Sequence, residues 1–208
     1  MITSEIISKF ELYVDDTTDL STVEELALAN KIYFKVCDER PWEFLKKEWT
    51  DATDGSNFRP LPDDFSYFFE NNSYTENNES VEDNKSSKVI LVGGLKYILV
   101  NWSDRRQYSN RNNYCYVDFA NNRLYFSIAP ASGLPISADY IKVPPELSAN
   151  DSPLFPARFH HIIYHGMAVD DMVIQLFDKA RSYADANHKM YESYLSNMSY
   201  WNSNLLNN

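Results

Sequence analysis

The stretch "FHHIIYHGMAVDD", residues 159–171, holds three of the four histidines in the chain and ends in two adjacent aspartates. These are residue types that hold zinc or move protons. Wound as a helix at ~100° per residue, His161 and His165 share a face, four positions apart. Ile162, however, stands where an H-E-x-x-H protease places its general-base glutamate. Asp170 points away from both histidines. Asp171 projects nearer His160, but at ~1.5 Å of rise per residue the two lie about 16 Å apart. One helix cannot close a chelate from these groups. The same wheel collects Phe159, Ile162, Ile163, Gly166, Val169, Val173, Leu176 and Phe177 on one side, with His161 and His165 toward the polar flank. This pattern describes an amphipathic packing helix. No metal is expected, and replacing His161 and His165 with alanine is expected to leave the fold intact.

Other chemistry is equally sparse. The chain has no G-x-S-x-G, no P-loop and no dinucleotide-binding glycine pattern, and its five glycines are too few for a phosphate-cradling loop. The acid pairs Asp15–Asp16, Asp63–Asp64 and Asp170–Asp171 diverge as neighbours on a helix or strand must, and the first two lie at element ends, where acids cap helices and solvate turns. Cys37 and Cys115 fit neither a metal spacing nor a disulfide framework. No cofactor and no enzymatic activity are expected. Arg105–Arg106 in "NWSDRRQY" is the one compact basic spot of the central region. It reads as a solvated loop or as a contact to an acidic neighbouring subunit.

The elements that carry these residues follow from composition and period. The 208 residues are 44% hydrophobic and 15% aromatic, enough for a core, and a formal charge of −11 argues against tight sequence-specific DNA binding. The N-terminus "MITSEIISKFELYVDD" carries acids among its apolar residues and reads as an amphipathic helix, not as a signal peptide. No membrane span is expected, and synthesis in a reducing cytosol fits the cysteine usage.

Residues 1 to about 49 read as helix. Ile6, Ile7, Phe10 and Val14 form one stripe, and Ser21 with Glu24 forms a capping box. Pro41 suits the first turn of a further helix whose buried side is Trp42, Phe44, Leu45 and Trp49. Residues 58–147 change to strand period in "KVILVG", "LKYILVNW", "YCYVDFA", "RLYFSIA" and "ADYIKV", which predict antiparallel strands. Asn121–Asn122 is placed at a hairpin turn, with Cys115, Val117 and Phe119 alternating against Tyr114, Tyr116 and Asp118. The polar segment near 70–87 predicts a long flexible loop.

From Pro153 the chain returns to helix. Ala180, Ala184, Asn187, Tyr191, Tyr194, Met198, Trp201 and Leu205 form a heptad-like seam. A glycine on an apolar helix face costs about 1 kcal/mol against alanine, so Gly166 predicts a close neighbour, expected to be the helix of residues 21–37. The apolar end, Tyr200, Trp201, Leu205 and Leu206, reads either as a helix end docked on its own domain or as a tail that buries itself in a partner.

The order of "NKIYFKVCDERPWEFLKKE", "VNWSDRRQYSNRNNYCYVDFANNRLYF", "DYIKVPPEL" and "FPARFHHIIYHGMAVDDMVIQLFDKARSYADANHKMYESYLSNM" resembles the head-to-tail connector, or portal adaptor, proteins of tailed bacteriophages, the tail-tubular type included. The resemblance covers most of the chain and contains no catalytic signature. It implies an α+β fold in which helices of both termini, residues 1–57 and 148–208, form a bundle around an inserted antiparallel β-domain, 58–147. It also implies a virion structural protein of the neck, made in the host cytoplasm. Such a protein is a homo-oligomer, a ring of twelve copies between the portal protein and a tail or nozzle protein, with genomic DNA passing through its channel. Portal docking is expected of Tyr194, Met198, Trp201, Leu205 and Leu206, and inter-subunit contact of Arg105 and Arg106. An acidic channel fits DNA exit, since attraction at many phosphates would hold the genome in place.

A different class remains open on the residues alone. Tyr108, Tyr114, Tyr116 and Tyr125 would form the stacking surface of a carbohydrate- or protein-binding module. A zinc hydrolase is the third reading and lacks a third ligand.

Overall fold

The computed structural model describes residues 1–14, 20–69 and 89–206. Asp15–Asp16, the polar segment near 70–87 and the side chain of Leu206 lie outside the described residues. The fold is mixed α+β, with a curled sheet. Two compact units divide it: Met1–Leu45 with Pro144–Asn208, and Lys46–Val143.

The first unit contains α1 (Thr3–Val14), α2 (Thr22–Asp38), α3 (His161–Ala168), α4 (Asp171–Leu176), α5 (Asp178–Ser182) and α6 (Ala184–Leu206). Ile6, Ile7, Phe10 and Val14 bury one stripe of α1. At the start of α2 the capping box closes in both directions: Ser21 N donates to Glu24 Oε2 at 2.8 Å and Glu24 N donates to Ser21 Oγ at 3.4 Å. The central element is α3, which packs against α1, α2 and α6. Buried Asn30 clamps the irregular segment before α3 through its amide, donating to Leu147 O at 2.9 Å and accepting from Leu147 N at 2.8 Å. A buried backbone pair that no sheet serves is thereby satisfied.

Residues 159–177 do not form the single helix that their wheel suggests. The chain breaks after α3, and Asp170 caps α4 by accepting from Met172 N at 3.2 Å. This restart rotates Leu176 into solvent, while Val173 and Phe177 stay buried. The expected helix from Pro41 is also absent. Trp42 is fully buried and donates its Nε1–H to Val36 O at 2.6 Å, Glu43–Leu45 make one 3-10 turn, and the chain then enters a strand.

The second unit holds β1 (Lys46–Ala52), β2 (Phe58–Pro60), β3 (Phe65–Phe68), β4 (Val89–Val92), β5 (Leu95–Leu99), β6 (Tyr114–Asp118), β7 (Arg123–Phe126) and β8 (Pro135–Lys142). Their order is β1-β8-β4-β5-β6-β7-β2, with β3 also on β8. Gly93 and Gly94, at φ of 59° and 81°, make the two-residue hairpin between β4 and β5, where left-handed backbone is required at both positions. All pairs are antiparallel except β5 with β6, which run parallel. Residues 100–113 supply the crossover that a parallel return needs. The core lies on one face and includes Trp49, Ile90, Val92, Cys115, Leu124, Phe126, Ile136 and Tyr140. Cys115 and Val117 point into it as their alternation requires. Phe119 lies beyond the end of β6, in the turn, and is exposed.

Candidate interaction surfaces

His160 and His165 sit deep in packing, so His165 does not lie on the polar flank expected of it, while His161 is half-buried. His165 is 4% exposed, and its Nδ1–H donates to Asn187 Oδ1 of α6 at 3.0 Å, since an amide oxygen can only accept. Its ring lies against Tyr164 (centroids 4.3 Å apart), Tyr194 (5.7 Å) and Tyr13 (5.6 Å). Half-buried His161 packs on Tyr164 and Tyr194. His160 places its ring nitrogens 2.9 Å from Met1 O and 2.9 Å from Phe155 O. Burial pulls all three imidazoles below their ordinary value of 6.5, offset in part by these hydrogen bonds at His160 and His165. Asp170, besides capping α4, pairs with Lys31 Nζ at 2.6 Å. Among the described residues, no group of three or more His, Cys, Asp or Glu could hold a metal ion.

Of the other described acids of these pairs, Asp64 has side-chain partners and Asp171 a place in a helix's first turn. Asp64 accepts from Tyr140 Oη at 2.6 Å and from Lys47 Nζ at 3.0 Å. Partial burial alone would raise its carboxyl pKa, but these two donors hold it below the usual carboxylate value. Asp171 occupies the first turn of α4, where an acid complements the exposed N–H groups. Buried Cys115 is pushed far above the usual thiol range and Cys37 up to about 12, both chiefly by burial, so neither is a reactive thiolate at neutral pH.

Gly166 faces both α2 and α6. A Cβ built there would lie 2.5 Å from Ile32 Cγ2 and 3.1 Å from Tyr191 Cε2. Close helix approach is thus a property of this position.

The C-terminal candidates divide by exposure. Met198 is 0% exposed, so it is covered by its own unit. Tyr194 rests on the histidines. The Trp201 ring lies 5.8 Å from Phe159, with the Arg158 guanidinium 5.5 Å above it. Asn202, which residue-type reasoning passed over, is buried and accepts from Glu43 N at 2.8 Å. Tyr200 and Leu205 point outward, 72% and 44% exposed.

The sheet unit assembles a second surface. Because β6 and β7 pair Tyr116 with Tyr125 and Val117 with Leu124, alternation sends the tyrosines to the side opposite the core. Tyr116 and Tyr125 stack at 5.5 Å with planes 6° apart. Phe58 of β2 continues the row at 5.6 Å from Tyr125, and Trp102 closes it edge-on at 5.5 Å from Tyr116. Tyr108 packs on Tyr114 at 4.6 Å. Guanidinium groups cover the ends: Arg105 lies 3.9 Å from the Trp102 ring, Arg123 4.4 Å from Phe58 and Arg111 5.3 Å from Tyr108. The four tyrosines singled out from sequence therefore share one face with Arg105. Arg106 is exposed in the adjoining turn. Phe58, Trp102, Arg111 and Arg123 were not singled out; the aromatic and basic residues flanking the tyrosine strands were the available signal.

Neither surface is a catalytic constellation, and both expose aromatic or apolar groups. The family model of the SU10 adaptor protein matches residues 1–204, almost the whole chain. The chain belongs to the SU10 adaptor protein family. This is a family of phage head-tail adaptors, which gives the protein a structural role as a virion component that contacts other virion proteins. No curated protein matches the chain. Among the described residues, no helix of this adaptor is long and apolar enough to cross a membrane.

Proposed function

We propose that this adaptor is the head-to-tail connector of its phage: a ring, twelve-fold in the expected form, that joins the portal to a tail or nozzle protein and lines the DNA exit channel. The family match over residues 1–204 carries this reading. In it, the helices of both termini act as a bundle that holds an inserted β-domain, and the protein resides in the neck of the virion. The formal charge of −11 supports passage of DNA without binding, because a repulsive wall keeps phosphate mobile.

Portal docking belongs to the outer side of the α6 end. Leu205, with neighbouring Tyr200, is available there; Trp201 and Tyr194 support the helix from within, and Leu206 continues it. Met198 contributes by anchoring the helix. The test is co-sedimentation of the purified chain with portal particles. Wild-type protein is expected to attach, and Tyr200→Ser with Leu205→Ser to fold normally and attach poorly. Wild-type protein that ignores portal particles would sink the reading.

The gathering of Tyr108, Tyr114, Tyr116 and Tyr125 on one face favours a second reading, a carbohydrate- or protein-binding module. Sugar recognition requires open ring faces. Here Arg111 covers Tyr108, and Tyr116 and Tyr125 cover each other, which favours protein over carbohydrate.

A further inference from the structure

The outer face of β2, β7 and β6, with the segment between β5 and β6, concentrates positive charge in an acidic chain. Arg105, Arg106 and Arg111 stand close in sequence with Lys96, and Arg123 joins them from β7, against two acids in residues 96–126, Asp104 and Asp118, the latter opposite Arg123 in register. The helical unit is the opposite. It carries 17 Asp and Glu against 8 Lys and Arg, a formal charge of −9. Asp38, Glu39, Asp171, Asp185 and Glu192 of that unit are exposed.

We propose that the aromatic and arginine face of the sheet unit binds the acidic helical unit of a second copy of this chain. A guanidinium stacked on a ring loses little further entropy when its N–H edge meets a carboxylate, and that edge matches a carboxylate in two parallel hydrogen bonds. Arg105 on Trp102 and Arg123 on Phe58 are held in this way. Trp102 remains 43% exposed beside them. Trp, Tyr and Arg are the residue types that carry most of the energy of protein interfaces.

Charge also decides the symmetry. A two-fold contact through this face would set arginine against arginine. Pairing it with the acidic unit joins two different surfaces, so every copy keeps one of each free for the next. Such head-to-tail association closes into a ring or runs on as a filament. The inference deepens the connector reading, because a ring needs a heterologous contact, but its test requires no portal.

Sedimentation of the full chain at low and high salt, with circular dichroism as the fold control, tests it. Wild-type protein is expected to self-associate, and salt to weaken the association. Trp102→Ala and the pair Arg105→Glu, Arg111→Glu are each expected to weaken it at least about tenfold while the spectrum is unchanged. If Trp102→Ala disturbs the spectrum, the charge-reversed pair, exposed at Arg111 and half-buried at Arg105, decides. A wild-type chain that stays monomeric at both salts overturns the proposal, as does a well-folded charge-reversed variant that associates like wild type. That second result leaves the connector reading intact with a different interface. A chain that self-associates through this face yet ignores portal particles would remove the connector reading alone.

Discussion

Replacing Gly166 with alanine sets two local energies against each other. Within α3 the substitution gains about 1 kcal/mol of helix propensity, because glycine loses more backbone freedom than alanine on folding. Against this, the new Cβ would sit 2.5 Å from Ile32 Cγ2 and 3.1 Å from Tyr191 Cε2, where carbon atoms pack comfortably at about 3.5–4.0 Å. Neither neighbour yields easily. Ile32 and Tyr191 are both buried, and the β-branch of Ile32 restricts its χ1 on a helix. Overpacking of this kind costs about 1–3 kcal/mol, and a contact this short belongs at the upper end. The net expectation is a loss of about 2 kcal/mol, which for a chain of this length lowers the Tm by roughly 4–8 °C. Thermal melts of wild type, Gly166→Ala, Ile32→Ala and the double variant give the cycle. Ile32→Ala alone should cost about 2–5 kcal/mol through its cavity. In that background Gly166→Ala should cost at least about 1 kcal/mol less than it does alone. A Tm raised by Gly166→Ala, or an equal effect in both backgrounds, would refute the close-packing argument.

Three further expectations follow from the helical unit. Because burial lowers the His165 and His160 pKa below 6.5, the unfolded chain takes up protons before the folded one does; stability is retained above 6.5 and lost as pH falls below it, with a slope of up to about 1.4 kcal/mol per pH unit for each ring. Denaturant melts at neutral pH and one unit below 6.5 should show this loss, and it should be smaller in His165→Gln; equal slopes in the two proteins would contradict it. Truncation after Met198 removes the Trp201 ring from Phe159 and leaves Glu43 N without Asn202, so about 3 kcal/mol of stability should be lost, read by the same melts; unchanged stability would return these residues to a role outside the subunit's own packing. Metal analysis of purified protein should find no stoichiometric zinc, and one tightly held ion per chain would overturn the packing role of His161 and His165; His165→Ala should nonetheless destabilise, by about 2 kcal/mol, because it opens a cavity beside Asn187.

Local signals were read correctly where one short segment carries its own energy. The Ser21–Glu24 capping box and the alternation of Cys115 and Val117 against Tyr114 and Tyr116 each depend on neighbours a few residues away, so the sequence alone determined them. It also determined the class of function, through the order of motifs along the whole chain.

Pairing and packing between distant segments decided the rest. Trp42, Leu45 and Trp49 recur at helical spacing, yet residues 46–52 gain more by zipping onto Pro135–Lys142 as an edge strand, whose charged residues give little alternation to read. The wheel over 159–177 assumed one axis, whereas the Asp170 cap and its Lys31 ion pair start a new one. His165 and Asn187 lie on different helices, and nothing near either predicts that a ring nitrogen meets an amide oxygen. The tyrosine and arginine face likewise exists only because β2, β7 and β6 register side by side and the 100–113 segment brings Trp102 and Tyr108 against them. Residues that make a capping box or a hairpin find their partners through the chain's own short reach, whereas those of a core or an interaction face meet only after the intervening loops have closed.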